Sequence, residues 1–417
     1  MKKISFVFLL AAILLTGCVN SDKPTEPSAT AVPAEPTAPP VTAPQQDDLI
    51  DNVPPTYENM YSVALPISTE HQYAEDGTII SRYLSQSTEL ILPDREVAEK
   101  IQNDFSHRTE LARFDSETVH DLAKSLYENG SLTSPLFYDI HYDVTRVDQG
   151  VLSLFGQIAQ SGETSHTVVQ NISANYDMLS GDVLTLGSIL YRADAKSQLA
   201  ELVIKNLEKR DDIVLFKEFR DTVNKRFSKD ESNDEDFYFS TTGLCFYFSP
   251  YELASYSYGT VIAEIPYSEL LQVIGDNYFP VERTYASGSV QVTPFTNEEW
   301  EKYEQFAQII TEDSSNTQKI LLTSDANVQN IRIHEVFREG SSSYITQSKN
   351  IYASNILSSK DAILMEADFS GEYPRYILSY TSEGGTKFYN ITLSEQSGQV
   401  ELTESTESIT IRSGTTN

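Results

Sequence analysis

Nine of the 17 prolines in this 417-residue chain fall between residues 19 and 55, mixed with Ala, Thr, Ser and Glu and almost no large apolar side chains. A stretch of that composition cannot bury a core and favours extended polyproline-like conformations, so the folded part has to begin after it. As a tether its 37 residues reach somewhere between ~35 Å as a random coil and ~115 Å fully extended. Beyond it the chain is apolar enough to fold: 40% of residues are hydrophobic, with 24 Tyr and 19 Phe. Acidic side chains outnumber basic ones by 61 to 30, for a net charge of −31. Such a balance argues against nucleic acid as a partner, because binding phosphates demands a cationic face.

Before the tether, Lys2 and Lys3 precede a run from Ile4 to Leu15 that is apolar except for Ser5. Its twelve residues are too few to span a ~30 Å hydrocarbon core, which needs about 20, so the run reads as a signal segment. Leu15-Thr16-Gly17-Cys18 resembles a bacterial lipobox, with Leu15 and Gly17 ahead of the cysteine that takes a diacylglycerol. The other reading is an ordinary signal peptide with an incidental cysteine. The lipobox implies a protein that starts at Cys18 and is anchored through its acyl chains, outside the cytoplasm, on the bacterial cell membrane. Cys245 is then the remaining thiol, and no intramolecular disulfide is expected. It lies in the strand-like run Leu244-Cys245-Phe246-Tyr247-Phe248, as a buried and inert group.

Hydrophobic periodicity divides the rest. Alternation marks strands at 79–84, 88–92, 137–147, 151–158 and 167–176, with Gln149-Gly150 as a hairpin turn. Pro93-Asp94 opens a helix through Val97, Ile101 and Phe105, and Asp115-Ser116 opens a second one through Val119, Leu122, Ala123 and Leu126. Further helices are expected at 195–209, through Phe216 to Phe227, and at 268–274, with strands at 237–248 and 260–265. Strands and helices without regular βαβ alternation give an α+β fold. Around Thr296 a capping box with Glu299 and a staple of Phe295 with Trp300 predict a helix whose stripe continues through Tyr303, Phe306, Ala307 and Ile310. Strand-like runs and the turns Gly384-Gly385 and Ser397-Gly398 follow. The expected organisation is a signal peptide over 1–17, a tether over 18–56, an α+β module over 57–280, a small mostly-β domain with an N-terminal helix over 289–403 and a polar tail over 404–417.

Catalytic signatures are missing. No zinc-protease, nucleophile-elbow, phosphate-loop or dinucleotide motif is present. The six histidines (71, 107, 120, 141, 166, 334) are scattered, so no metal site or cofactor is expected. The acidic run 230–236 lacks the glycine and final glutamate of a calcium loop and reads as a solvated loop.

The distinctive segment is Phe248-Ser249-Pro250-Tyr251-Glu252-Leu253-Ala254-Ser255-Tyr256-Ser257-Tyr258-Gly259, leading to Ile265-Pro266-Tyr267. Its tyrosines are either core aromatics bonded through their hydroxyls or a recognition surface. Upstream stands Asn175-Tyr176-Asp177-x-x-x-Gly181-x-x-Leu184-x-Leu186. Together these motifs resemble the extracellular module shared by lysozyme-sensing anti-sigma factors of the RsiV type and peptidoglycan deacetylases of the PdaC type, over roughly residues 57–277. The family's Gly-Gly-Ala-His turn is represented only by a glycine and His166 in 161–166. Neither an anti-sigma segment nor a deacetylase domain accompanies the module. The resemblance implies a non-catalytic module that binds a cell-wall-associated ligand, lysozyme or a peptidoglycan fragment, with Tyr251, Glu252, Tyr256, Tyr258 and Tyr267 as candidate contacts. Residues 56–280 carry 36 acidic and 17 basic side chains, a field that steers basic partners and also serves plain solubility. The competing expectation is a structural or accessory envelope lipoprotein that acts through a membrane or surface protein.

Overall fold

The computed structural model describes residues 60–161, 167–192, 194–228, 236–280, 288–295, 307–310, 316–338, 347–383, 385–394 and 396–405. The lipobox, the tether, residues 162–166 of the family turn, nearly all of the acidic run and Thr296 to Phe306 of the expected helix lie outside them.

In chain order the elements begin with β1 (Ser62–Ala64), β2 (Ile67–Tyr73), β3 (Ile79–Gln86), β4 (Glu89–Ile91), α1 (Arg95–Glu128), β5 (Leu136–Val147), β6 (Val151–Ser161) and β7 (Thr167–Asp177). Then come α2 (Leu186–Ile189), α3 (Ala195–Glu208), α4 (Phe219–Ser228), β8 (Phe237–Phe239), β9 (Gly243–Phe248) and β10 (Val261–Pro266). The C-terminal part holds β11 (Val290–Pro294), β12 (Ala307–Ile310), β13 (Gln318–Ser324), β14 (Val328–Phe337), β15 (Gln347–Leu357), β16 (Ala362–Ala367), β17 (Tyr376–Ser382), β18 (Gly385–Leu393) and β19 (Val400–Glu404). The fold is α+β, as the unpaired periodicities predict.

Helix α1 covers one face of the five-stranded sheet β2-β3-β5-β6-β7. Asp94 caps it, accepting from the N–H groups of Glu96 and Val97 at 2.9 and 3.2 Å. The expected break at Asp115-Ser116 does not occur. Ser116 Oγ donates back to the Arg113 carbonyl at 2.6 Å, and Phe105, Ala112 and Val119 keep one buried stripe at seven-residue spacing. Burial of that stripe against Tyr142, Tyr138 and Val144 outweighs a local cap signal worth about 1 kcal/mol. On the sheet, Asp148 Oδ1 accepts from Gly150 and Val151 N–H, which closes the β5–β6 hairpin where the sequence places it. Gly156 allows β5 and β6 to approach: a Cβ there would sit 2.1 Å from the His141 carbonyl oxygen.

A second core joins α2, α3 and α4 to the antiparallel sheet β10-β9-β8. Leu199, Val203 and Leu207, four residues apart on α3, are fully buried there. The expected helix over 268–274 is instead a single 3₁₀ turn at Tyr267–Glu269. Gln272, at φ 63°, is in the left-handed region that stops a helix.

The third core fills the space between the sheets β19-β18-β17-β14-β15-β1-β4 and β11-β13-β16-β12. Ala307 and Ile310, expected on a helix, belong to β12, which pairs in parallel with the buried strand β16. β-Branched Ile309 and Ile310 favour that pairing over a helical stripe. Strands of both expected modules share one sheet: β1 lies between β15 and β4, with Ser62 opposite Ser354 and Val63 opposite Leu90. The described residues accordingly belong to one compact unit rather than two.

Side chains reinforce that union. Asp143 Oδ1 of β5 accepts from the Asn350 N–H of β15 at 2.8 Å. Arg332 of β14 donates to the carbonyls of Val144 and Thr145.

Candidate functional site

The tyrosine-rich segment joins β9 to β10. Its turn is anchored on both sides by Glu252, whose N–H donates to the Ser249 carbonyl at 3.0 Å and whose Oε2 accepts from the Ser249 N–H at 2.9 Å. Arg226 of α4 supports it from below. Its guanidinium sits 4.5 Å from the Phe248 ring centroid, donates to the Tyr247 carbonyl, and pairs with Asp236 at 2.7 Å and Glu252 at 3.4 Å. Glu252 therefore serves the turn's architecture. Between these anchors Tyr251 is forced to φ 70°. A non-glycine residue there costs on the order of 1–2 kcal/mol, so the anchored turn holds a conformation that this side chain does not choose for itself.

The consequence is a displayed aromatic pair. Tyr251 is 67% exposed and Tyr256 60% exposed, with ring centroids 5.5 Å apart and planes inclined by 35°. Tyr258 is half-buried and packs against the core of α3, α4 and β8–β10.

Tyr267 belongs to a different constellation. Its hydroxyl accepts from Arg146 Nη1 at 2.7 Å and donates to the Ser240 carbonyl at 2.9 Å. Arg146, whose side chain is 2% exposed, also donates to the Tyr278 carbonyl at 2.6 Å and pairs with Asp148 at 2.7 Å. One guanidinium thus ties the β5–β6 hairpin to the segment after β10. Burial raises the Tyr267 hydroxyl pKa far above its ordinary value, even with the arginine opposing it. Of the five tyrosine-segment candidates, the structure brings Tyr251 and Tyr256 together on the surface and places Glu252, Tyr258 and Tyr267 in supporting contacts.

Beside this sheet opens a cleft of about 720 Å³, with mixed polar and apolar walls, that sequence reasoning missed. Its walls come from the β8–β9 turn, β10, the end of α3, and β14, β17 and β18. Glu264 accepts there from Ser240 Oγ at 2.9 Å and from Thr242 Oγ1. Asn206, Arg210, Ser379 and Thr381 add amide, guanidinium and hydroxyl groups. Glu264 is the single carboxylate among the described lining residues. Arg332 also lines the cleft, so the surface offers hydrogen-bond donors and acceptors together with guanidinium groups to a polar ligand. It was invisible in the sequence because its walls are scattered between Thr145 and Thr386 and carry no motif. Cys245 lies at this cleft, 2% exposed, and burial pushes its thiol up to about 12. The thiol is therefore protonated and unreactive in the fold. Among the described residues no group of three or more His, Cys, Asp or Glu side chains could hold a metal ion. No helix among them is long and apolar enough to cross a membrane.

Two solved structures are similar to this chain. One is a member of the DUF3298 family from Bacteroides fragilis, at 16% identity and a TM-score of 0.38, covering 52% of this chain and 94% of that one. The other is a DUF3298 family protein from Pseudomonas aeruginosa, at 15% identity and a TM-score of 0.33, covering 53% and 97%. No curated protein matches the chain. Residues 184–268, from the residue before the α2 cap to just past Tyr267, match the family model described as protein of unknown function (DUF3298), so the tyrosine-rich turn lies inside a DUF3298 domain.

Proposed function

We propose that this chain is a lipid-anchored, extracytoplasmic, non-catalytic binding protein for a cell-wall-associated ligand, held at the membrane by a diacylglycerol on Cys18. The observation that carries the reading is the Tyr251–Tyr256 pair. Two exposed rings on a turn already locked by Glu252 and Arg226 lose little conformational freedom on binding, and tyrosine is enriched where interfaces concentrate their energy. The excess of acid across residues 56–280 favours a basic protein, and the RsiV-type resemblance names lysozyme as the first ligand to try.

A second ligand class has its own support. The hydroxyl, amide and guanidinium groups lining the cleft suit the hydroxyl-, amide- and carboxylate-bearing chain of a peptidoglycan fragment. Both versions are tested on the full chain in detergent, with hen lysozyme and with soluble muropeptides. Lysozyme is expected to bind more weakly as salt rises, and the Tyr251→Ala/Tyr256→Ala double variant to lose at least about tenfold in affinity. Muropeptide binding that survives the tyrosine variant and fails in Thr381→Val assigns the cleft instead. Failure of both ligands to bind at high protein concentration sinks the reading.

A further inference from the structure

Lys349 of β15 is 8% exposed, and its ammonium makes no hydrogen bond or ion pair with any described residue. It lies over the face of Phe337, 5.0 Å from the ring centroid. An ammonium taken out of water without a partner loses several kcal/mol of hydration, so a chain that keeps one there invites a reason.

The three carboxylates whose fields reach Lys349 are occupied elsewhere. Asp139 pairs with Arg82. Glu335 receives Arg375 through Nε at 2.8 Å and Nη2 at 2.6 Å. Asp143 accepts the Asn350 N–H and faces Arg332. Burial lowers the Lys349 pKa below the usual lysine value, with Arg82 adding to the effect and the carboxylates opposing it.

Lys349 and Phe337 both stand in the wall of a cavity of about 130 Å³, where β1, β2 and β3 meet β12, β14 and β15. Leu65, Ile67 and Ile351 give that wall an apolar character, and Glu335 and Arg375 are its other charged members. A dry apolar cavity of roughly this volume holds a ring of six carbons. We propose that the cavity is a binding site for a small monocarboxylate with an apolar body of about six carbons, its carboxylate meeting the Lys349 ammonium and its body lying against Leu65, Ile67 and Ile351. Such a ligand supplies the missing counter-charge and fills the apolar volume in one step. Arg375 neutralises Glu335 beside it, so the pair repels an incoming carboxylate less than a bare glutamate would, and the discrimination falls on Lys349.

The test is calorimetric titration of the full chain in detergent with benzoate and hexanoate, with benzyl alcohol as the uncharged isostere. One saturable site is expected for both carboxylates, with benzyl alcohol at least tenfold weaker. Lys349→Met keeps the apolar stem and removes the charge. It is expected to lose carboxylate affinity at least tenfold while melting at the wild-type temperature or above, because the buried charge is gone. Ile67→Phe fills the cavity and leaves the lysine, and is expected to abolish binding of both carboxylates. Undiminished benzoate binding in either variant, benzyl alcohol binding as tight as benzoate, or no saturable site for either carboxylate overturns the proposal.

Discussion

Replacing Tyr267 by phenylalanine removes one oxygen from a buried junction and keeps the ring that stacks on Arg146, whose guanidinium carbon lies 5.4 Å from the centroid. The hydroxyl accepts one charge-assisted hydrogen bond from Arg146 and donates one to Ser240. The first contributes about 1.5–3 kcal/mol and the second about 1, part of which water recovers at the half-buried Ser240. Arg146 retains Asp148 and the Tyr278 carbonyl, so the net loss is about 2–3 kcal/mol. The natural reporter is Cys245, buried in β9 at 2% exposure and the single thiol once Cys18 is replaced by serine. When opening is fast and labelling slow, the rate at which a thiol reagent reaches Cys245 follows the open population. A loss of 2–3 kcal/mol therefore speeds labelling by roughly 30- to 150-fold. Labelling within twofold of the parent, combined with lost ligand binding, refutes this assignment and makes the Tyr267 hydroxyl a contact for the ligand.

Asp143 gives a pH signature. Burial raises its carboxyl to about 6, against the lowering effects of the Asn350 N–H, Arg332 and Lys349. Well below pH 3.8 both folded and unfolded forms hold the proton; between 3.8 and about 6 the folded form alone keeps it, and above that the folded form carries a charge it disfavours, so this group's contribution falls as pH rises through that window. Between pH 4.5 and 7.5 the parent should lose about 2 kcal/mol relative to Asp143→Asn, read as the difference between their denaturant midpoints at each pH; a pH-independent difference contradicts the assignment. Gly156→Ala drives a Cβ into the His141 carbonyl at 2.1 Å and the Tyr142 Cα at 2.9 Å. The β5–β6 register cannot absorb that, and the variant is expected to lose at least about 3 kcal/mol or fail to fold by circular dichroism; wild-type melting refutes the close approach.

Much of the strand pattern was legible because alternation is local. The runs at 137–147, 151–158 and 260–265 fall on β5, β6 and β10, and the Gln149-Gly150 and Ser397-Gly398 turns sit at their hairpins. Local rules failed where distant partners decide the outcome. The Asp115-Ser116 pair carries a real cap signal, yet α1 continues because Ala112 and Val119 are buried by strands further along the chain. For the candidate site, the sequence singled out this turn without separating its exposed tyrosines from those that support it. Nothing within the motif separates Tyr251 from Tyr267, since the latter's role is set by Arg146, 121 residues upstream. Lys349 was equally silent: a lysine in a β-strand looks solvated until the sheet that covers it is known.

The pairing of β1 with β15 also bears on how the chain reaches its fold. Ser62 meets Ser354 across a loop of well over half the chain, and closing a loop of that length costs on the order of 5 kcal/mol of chain entropy. Until β15 has formed, Ser62–Ala64 cannot sit between its two neighbours, and β15 itself presents an open edge. A chain emerging N-terminus first must therefore keep its first strand waiting until its last third has been made. Truncation near residues 281–288, between the two modules expected from the sequence, leaves two fragments that each expose an unpaired strand edge to other chains.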